Sequence, residues 1–373
     1  MSVEIKEVVS RKDLKKFVKF PFSLYDKNKY WIPPLIKDEM ETLSPEKNPA
    51  FDFCEAKYWL AYKDGQIAGR IAGILNTKYI KKWGNKYASF SRPEFIDDKE
   101  VSKALFEAVE EWAKSKGMEG VHGPLGLSTF DQQAILIEGF EELPTTASVF
   151  NFPYYSEHME TLGYAKEVDY VEYQAPTPEA VPEKAVRVAN IVQKREKVRL
   201  LKSKSKKELA PYASQVFDVI NAAYAPLFYF TELTEKQIRY FTKKYFSFIL
   251  AEYVTLIVDQ EDKLVGFQIT MPSLSRAFQK AKGRLYPFGF IHLLRAMKNP
   301  KVLDVYLVGI LPKYQGKGVN ALIMLDLTQM AIDRKIEYGE SNSELEENIK
   351  VQSFWKYYDA RRHKRKRIYL KKI

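Results

Sequence analysis

One stretch of the chain has the residue types and spacing to grip an anion. Asp304-Val305-Tyr306-Leu307-Val308-Gly309-Ile310 is an apolar, partly β-branched run that reads as a strand. It leads through Leu311-Pro312-Lys313-Tyr314 into Gln315-Gly316-Lys317-Gly318-Val319-Asn320, and then into Ala321-Leu322-Ile323-Met324. A glycine-rich turn between strand and helix lets main-chain amides approach a phosphate, and the dipole and free N–H groups of the helix start favour a pyrophosphate. Leu322, Leu325, Met330 and Ile332 continue an apolar helix that buries the platform from behind. The spacing is neither Gly-x-x-x-x-Gly-Lys-Ser/Thr nor Gly-x-Gly-x-x-Gly, so nucleoside triphosphate and dinucleotide sites lose support.

The same run resembles the acyl-CoA signature of the GNAT superfamily, Gln/Arg-x-x-Gly-x-Gly/Ala, with Asn320 where the pattern has a small residue. Downstream, Ile336 to Asn342 reads as a strand. Glu344 to Trp355 is similar to the family's asparagine helix, with Asn348 as the asparagine, and Arg367-Ile368-Tyr369-Leu370 to its closing strand. The resemblance implies an enzyme that transfers the acyl group of acetyl-CoA, or of a longer acyl-CoA, by direct attack of an amine, without a metal. It implies contacts to the CoA co-substrate from Val308, Gly309, Ile310, Gln315, Gly316, Lys317, Gly318, Val319, Asn320 and Asn348. In many members a tyrosine seven residues after the asparagine protonates the leaving thiolate. That position is Trp355 here, whose indole donates hydrogen bonds but no acidic proton. Tyr357 and Tyr358 are the nearby substitutes, and read equally as packed aromatics. For the base, Glu340 shares strand parity with Tyr338 and Asn342, and a carboxylate beside a cleft is open to a raised pKa. Glu340 reads equally as a structural carboxylate.

These residues need elements to hold them, and the chain supplies two similar sets. In the first half, Ala56–Tyr62 and Ile67–Leu75 flank Asp64-Gly65, a hairpin signal because both residues tolerate positive φ. A helix follows, with Asp97 expected as cap, Glu100 completing a capping box and Gly117 at the far end. Its residues Val101, Ala104, Leu105, Ala108, Val109 and Trp112 form one stripe. The second half repeats the outline. A helical stretch from Glu208 to Tyr224 precedes strands Tyr253–Val258 and Lys263–Thr270 around an acidic turn, and Val186 to Lys207 reads as a solvated strand and loop. Prolines 176, 178 and 182 mark a linker. The expected fold is α+β: two tandem GNAT-like domains, each a mixed, mainly antiparallel twisted sheet flanked by helices. The expected bounds are 1–175 for a degenerate domain without the glycine signature, 176–184 for the linker and 185–373 for the acyl-CoA domain. Asn151–Tyr155 through Leu162-Gly163-Tyr164 resembles a family terminus. Tandem arrangements of this kind are known in Fem-type peptidyltransferases, N-myristoyltransferases and mycothiol synthases. The layout, including Gly69-Arg70-Ile71-Ala72 and Gly283 to Gly289, is most similar to long bacterial GNAT-like proteins that include bacterial ceramide synthases.

Composition sets the outer limits. A chain of 373 residues suits two domains, and its 46% hydrophobic and 29% charged residues describe a folded globular protein. No apolar run approaches the roughly 20 residues of a membrane-spanning helix, and the charged start is unlike a signal peptide, so a cytoplasmic setting is expected. The one cysteine, Cys54, is not near a histidine in a catalytic pattern, and the four histidines have no metal-ligand spacing. A net charge of +11 draws anionic partners. CoA and an acidic membrane surface, contacted peripherally, both qualify. Nucleic acid is not expected, because no reader motif accompanies the charge. The cluster Arg361 to Arg367 reads as an attachment site for acidic lipid or nucleic acid, or as a solvated hairpin. Leu227–Phe230 and Tyr286–Phe290 read as core or as the lining of a channel for a long-chain amine. The acceptor is expected to be a small-molecule or lipid-like amine, against two alternatives: a catalytically inactive acyl-CoA sensor and a nucleic-acid module.

Overall fold

Asp64 and Gly65 take φ of 54° and 76°, the left-handed pair that a tight two-residue hairpin requires. The computed structural model describes residues 2–246, 248–352 and 355–373. The first half runs β1 (Glu4–Glu7), α1 (Arg11–Leu24), α2 (Ile36–Thr42), β2 (Cys54–Lys63), β3 (Gln66–Asn76), α3 (Thr77–Trp83) and β4 (Tyr87–Phe95). It continues with α4 (Lys99–Ser115), β5 (Gly120–Gly123), β6 (Ile135–Glu138), α5 (Tyr154–Thr161) and β7 (Ala165–Pro176). The second half begins α6 (Glu183–Glu196), β8 (Arg199–Leu201), α7 (Lys206–Leu209), α8 (Ala213–Tyr224), α9 (Glu235–Tyr245), β9 (Val254–Val258) and β10 (Leu264–Pro272). There follow α10 (Ser275–Ala281), α11 (Gly289–Lys298), β11 (Val302–Ile310), α12 (Asn320–Asp333), β12 (Tyr338–Ser341), β13 (Glu344–Leu345), α13 (Ile349–Gln352) and β14 (Arg361–Lys372).

All the strands join one mixed sheet in the order β1-β2-β3-β4-β5-β14-β7-β12-β11-β10-β9-β8, with β6 on β14 and β13 on β7. Strands β1 to β5 pair antiparallel three times and then parallel; β8 to β12 repeat that pattern. The closing strands are exchanged. The last strand of the first half, β7, lies against β12, while the last strand of the chain, β14, lies against β5. The two exchanged strands pair with each other at the centre. The segment 177–182 joins β7 to α6, and the sheet is continuous on both sides of it.

Packing follows the expected periodicity. Val101, Leu105, Val109 and Trp112 of α4 are buried on the first half's sheet. Glycines let the helix come close: a Cβ at Gly73 would sit 2.8 Å from the Trp112 ring, and one at Gly69 2.6 Å from Leu105. In the second half α8 and α9 cover one face through Val219, Ile220 and Phe241. Val319, Leu322 and Ile323 at the start of α12 pack on the other face with Ala189 and Val192 of α6.

Four local expectations are corrected. The cap of α4 is Asp98, whose side chain accepts from the amides of Glu100 and Val101, while Asp97 accepts from His158 Nε2. Residues 183–196 form a helix rather than a solvated strand, since Ala189 and Val192 have α12 to bury against. The segment 344–355 is not one helix: Glu344–Leu345 pairs with β7, α13 spans only Ile349–Gln352, and residues 353–354 lie outside the described residues. Finally, 361–367 is neither a hairpin nor a surface patch but part of central strand β14.

Candidate functional site

Pairing between β11 and β12 runs only from Val302–Tyr338 to Val305–Ser341. Beyond it the strands part. Opposite β10 the register jumps from Ile269–Leu307 to Thr270–Val305, so Tyr306 is an extra residue that bends β11 where β12 leaves it. The Leu311 amide donates to Val265 O of β10 at 2.9 Å. Because N–H direction alternates along a strand, the amides of Val308 and Ile310 face the side that β12 has vacated. The Val308 carbonyl agrees: it accepts from Tyr224 Oη at 2.8 Å. Gly309 has no room for a side chain, since a Cβ would lie 2.7 Å from the Phe267 ring.

At the end of that free edge, Gln315 folds back, its Nε2 donating to Ile310 O at 3.0 Å. Gly316 and Gly318 then take φ of 75° and 83°. A side chain at either would strain the backbone, and at Gly318 it would also press on Val192, 3.0 Å away. Among the described residues, no main-chain carbonyl or side-chain acceptor takes the amides of Gly316, Lys317, Gly318, Val319 or Asn320. The turn is exposed, Val319 beneath it is fully buried, and α12 starts with no side-chain cap. An uncapped helix start with outward amides fits a pyrophosphate. Lys317 Nζ lies 3.3 Å from Glu196 Oε2, and Arg195 donates to the Lys317 carbonyl, so the end of α6 braces the turn. Two surface grooves, one on α6 and one around Leu311 and Lys313, leave residues 315–320 outside.

A row of buried polar side chains crosses the sheet at the point of divergence. Asp304 of β11 faces Glu340 of β12, which faces Gln174 of β7; Glu172, on the same face of β7, lies opposite Lys364 of β14. Gln174 Nε2 donates to Glu340 Oε1 at 3.0 Å. Burial, opposed by the Lys364 ammonium, raises the Glu340 pKa, and burial beside Glu340 holds Asp304 well above the usual carboxylate range. Asp304 Oδ1 is buried without a partner among the described residues. Glu172 behaves oppositely. Despite burial, Lys366 at 2.6 Å and Lys364 at 3.8 Å pull its pKa down to about 2. A loop of the first half straps this face: Leu143 O accepts from Lys364, Thr145 Oγ1 donates to Asn342 Oδ1 at 2.8 Å, Thr146 bonds the Tyr306 hydroxyl and Ser148 donates to Glu172.

The opposite face carries Glu344. Trp355 Nε1 donates to its Oε1 at 2.9 Å, the indole stacks on Tyr173, and Oε2 is buried without a partner among the described residues. Burial raises this carboxyl to about 7. Glu344 was not singled out from sequence, because the helical template placed it away from any strand. Of the two tyrosines that were, Tyr358 bonds Thr328 of α12 at 2.8 Å and Tyr357 is 74% exposed. No contact joins either to Glu340. Asn348 accepts from the Val351 amide, so its side chain caps α13. Cys54 is buried and its thiol is pushed up to about 12, unlike a nucleophile.

The first half has the same divergence, at Ser89–His122, but no cradle. Only three residues separate β4 from α4, and the Asp98 carboxylate occupies the helix start. Half-buried Arg92 and Glu39 pair there instead.

No family model matches the chain. It is 29% identical to Protein YghO of Escherichia coli (strain K12), over 99% of this chain and 95% of that protein. It is 26% identical to the bacterial ceramide synthase of Caulobacter vibrioides, over 89% and 87%. Among solved structures, a tandem GNAT protein from the clavulanic acid pathway superposes with a TM-score of 0.57 at 12% identity, covering 100% of this chain and 98% of that one. A GCN5-related N-acetyltransferase from Sphaerobacter thermophilus gives 0.51 at 11% identity, covering 99% and 95%. The fold is therefore that of the tandem GNAT proteins.

Proposed function

We propose that the chain is an N-acyltransferase that moves an acyl group from acyl-CoA to an amine. The observation that carries this is the pair of outward amides of Val308 and Ile310 on the edge that β12 leaves, followed by the amides of 316–320, unpartnered among the described residues. An extended pantetheine arm can lie along such an edge as a further strand, and a pyrophosphate can sit on the turn. The amides of Val308 and Ile310 are placed to polarise the thioester carbonyl and to stabilise the oxyanion. Glu340, coupled to Asp304 on the strapped face, takes the proton of the attacking amine. Glu344, its carboxyl raised to about 7 by burial and so about half protonated at neutral pH, gives its proton to the sulfur as the C–S bond breaks. It thereby fills the role that Trp355 cannot, and the products are an amide and the free thiol. Similarity to the bacterial ceramide synthase supports a lipid-like amine acceptor.

The test is thiol release by the purified protein across acyl-CoA lengths and a pool of amines, alongside thermal shifts with CoA. Thiol release that depends on an amine is expected. Gly318→Glu, which places a side chain and a negative charge in the cradle, is expected to weaken CoA binding at least about tenfold. Binding of CoA without any turnover would favour a sensor, and no CoA binding at all would refute both readings.

A further inference from the structure

Between β10 and β11 the second half inserts α10 and α11, where the first half has only the short α3. Residues 273–301 contain seven Lys and Arg residues and no acidic one. Lys282, Arg284, Arg295 and Lys298 are exposed, and none has a carboxylate partner among the described residues. The connection between the helices adds an apolar tip. Tyr286 is 79% exposed and Phe288 70%, with Phe290 and Leu294 on the adjoining face of α11 also in solvent. The end of α10 and the start of the connection are fixed: Gln279 Nε2 donates to Lys29 O and Trp31 O, and Gly283 O accepts from the Ile36 amide at 3.0 Å. At its start Ser275 Oγ donates to Pro144 O, next to Thr145 and Thr146 of the strap over the polar face.

We propose that this hairpin docks the protein on an anionic lipid bilayer, the aromatic tip entering the headgroup region and the unpaired cations meeting lipid phosphates. Aromatic rings with exposed apolar area favour the membrane interface, and each basic side chain near an anionic surface adds attraction that an uncharged one lacks. An apolar tip alone would suit a second copy of this chain equally well, but a ring of like charge opposes self-association and selects an acidic surface. Docking here brings the bilayer beside the strap. The consequence for the acceptor, a long-chain amine taken from the membrane, rests on the acyl-transfer reading above; the docking itself does not.

The experiment is co-sedimentation of the full chain with vesicles of phosphatidylcholine alone and of an equal mixture with phosphatidylglycerol. The variants are Tyr286→Ser with Phe288→Ser, and Lys282→Glu with Arg284→Glu. All four positions are exposed, so melting temperature and the thermal shift with CoA serve as controls that the fold and the CoA site are intact. The expected result is at least about tenfold preference for the anionic vesicles, reduced about tenfold or more by each double variant and by high salt. Equal binding to both vesicles, or binding that the variants leave unchanged, overturns the proposal. So does a concentration-dependent dimer abolished by the Tyr286/Phe288 variant in the absence of lipid. Intact CoA binding with no vesicle binding would refute the docking alone, and the reverse would refute the acyl-transfer reading alone.

Discussion

Two carboxyl groups flank the point where β11 and β12 part, and their surroundings differ. Glu340 keeps Gln174 and feels the Lys364 ammonium, whereas Glu344, buried with the Trp355 indole N–H on one oxygen, is raised to about 7. Glu340→Gln is expected to lower kcat/KM on the order of a hundredfold while leaving CoA affinity within about twofold, because the side chain lies away from the 316–320 turn. If Glu344 donates the proton, the rate falls as pH rises through about 7, where its carboxyl ionises; Glu344→Gln lowers kcat and removes that limb from the profile. An unchanged pH profile in Glu344→Gln would assign proton donation elsewhere. The turn at 315–318 was legible because a glycine turn is a local signal. Glu344 was not, because its burial is made by Tyr173, more than a hundred residues earlier, and by Trp355.

Strands β7 and β14 form an element pair whose stability is electrostatic as well as apolar. Glu172 is held down to about 2 by Lys366 and Lys364, and burial next to Lys364 lowers His363 to about 4. Both folded values lie below the ordinary ones, so the unfolded chain binds protons more readily on the acid side. The His363 contribution is complete above its ordinary value of 6.5 and is lost as pH falls toward 4; that of Glu172 is complete above 4.5 and is lost toward 2. Each is of the order of 3 kcal/mol at full extent. A melting temperature that falls steadily below pH 6.5 is therefore expected. Glu172→Ala strands two ammonium groups in the interior and is expected to cost about 3 to 5 kcal/mol, measured by denaturant unfolding. Sequence misled here for a physical reason: seven consecutive basic residues look solvated when their partners Glu138, Glu142, Asp169 and Glu172 are distant in the chain.

At the scale of the whole molecule, the repeat of strand, turn, strand and helix was readable twice over, and so was the α+β class. The exchange of closing strands was not, because nothing in the composition of 361–372 says which sheet it joins. The exchange makes each half incomplete without the other. Residues 1–176 and 177–373 produced as separate chains are expected to show no cooperative melt singly and to regain one when co-expressed; a cooperative transition of 1–176 alone would show that β14 is dispensable to it.

The position of β14 also sets a timetable. The first half is synthesised first, yet the strand that fills the gap between β5 and β7 follows every other strand of the second half. Until then two bare strand edges wait for a partner, in a nascent chain already long enough to stick to its neighbours. The first half's sheet is therefore closed only once the second half has been made, and the two halves finish folding together.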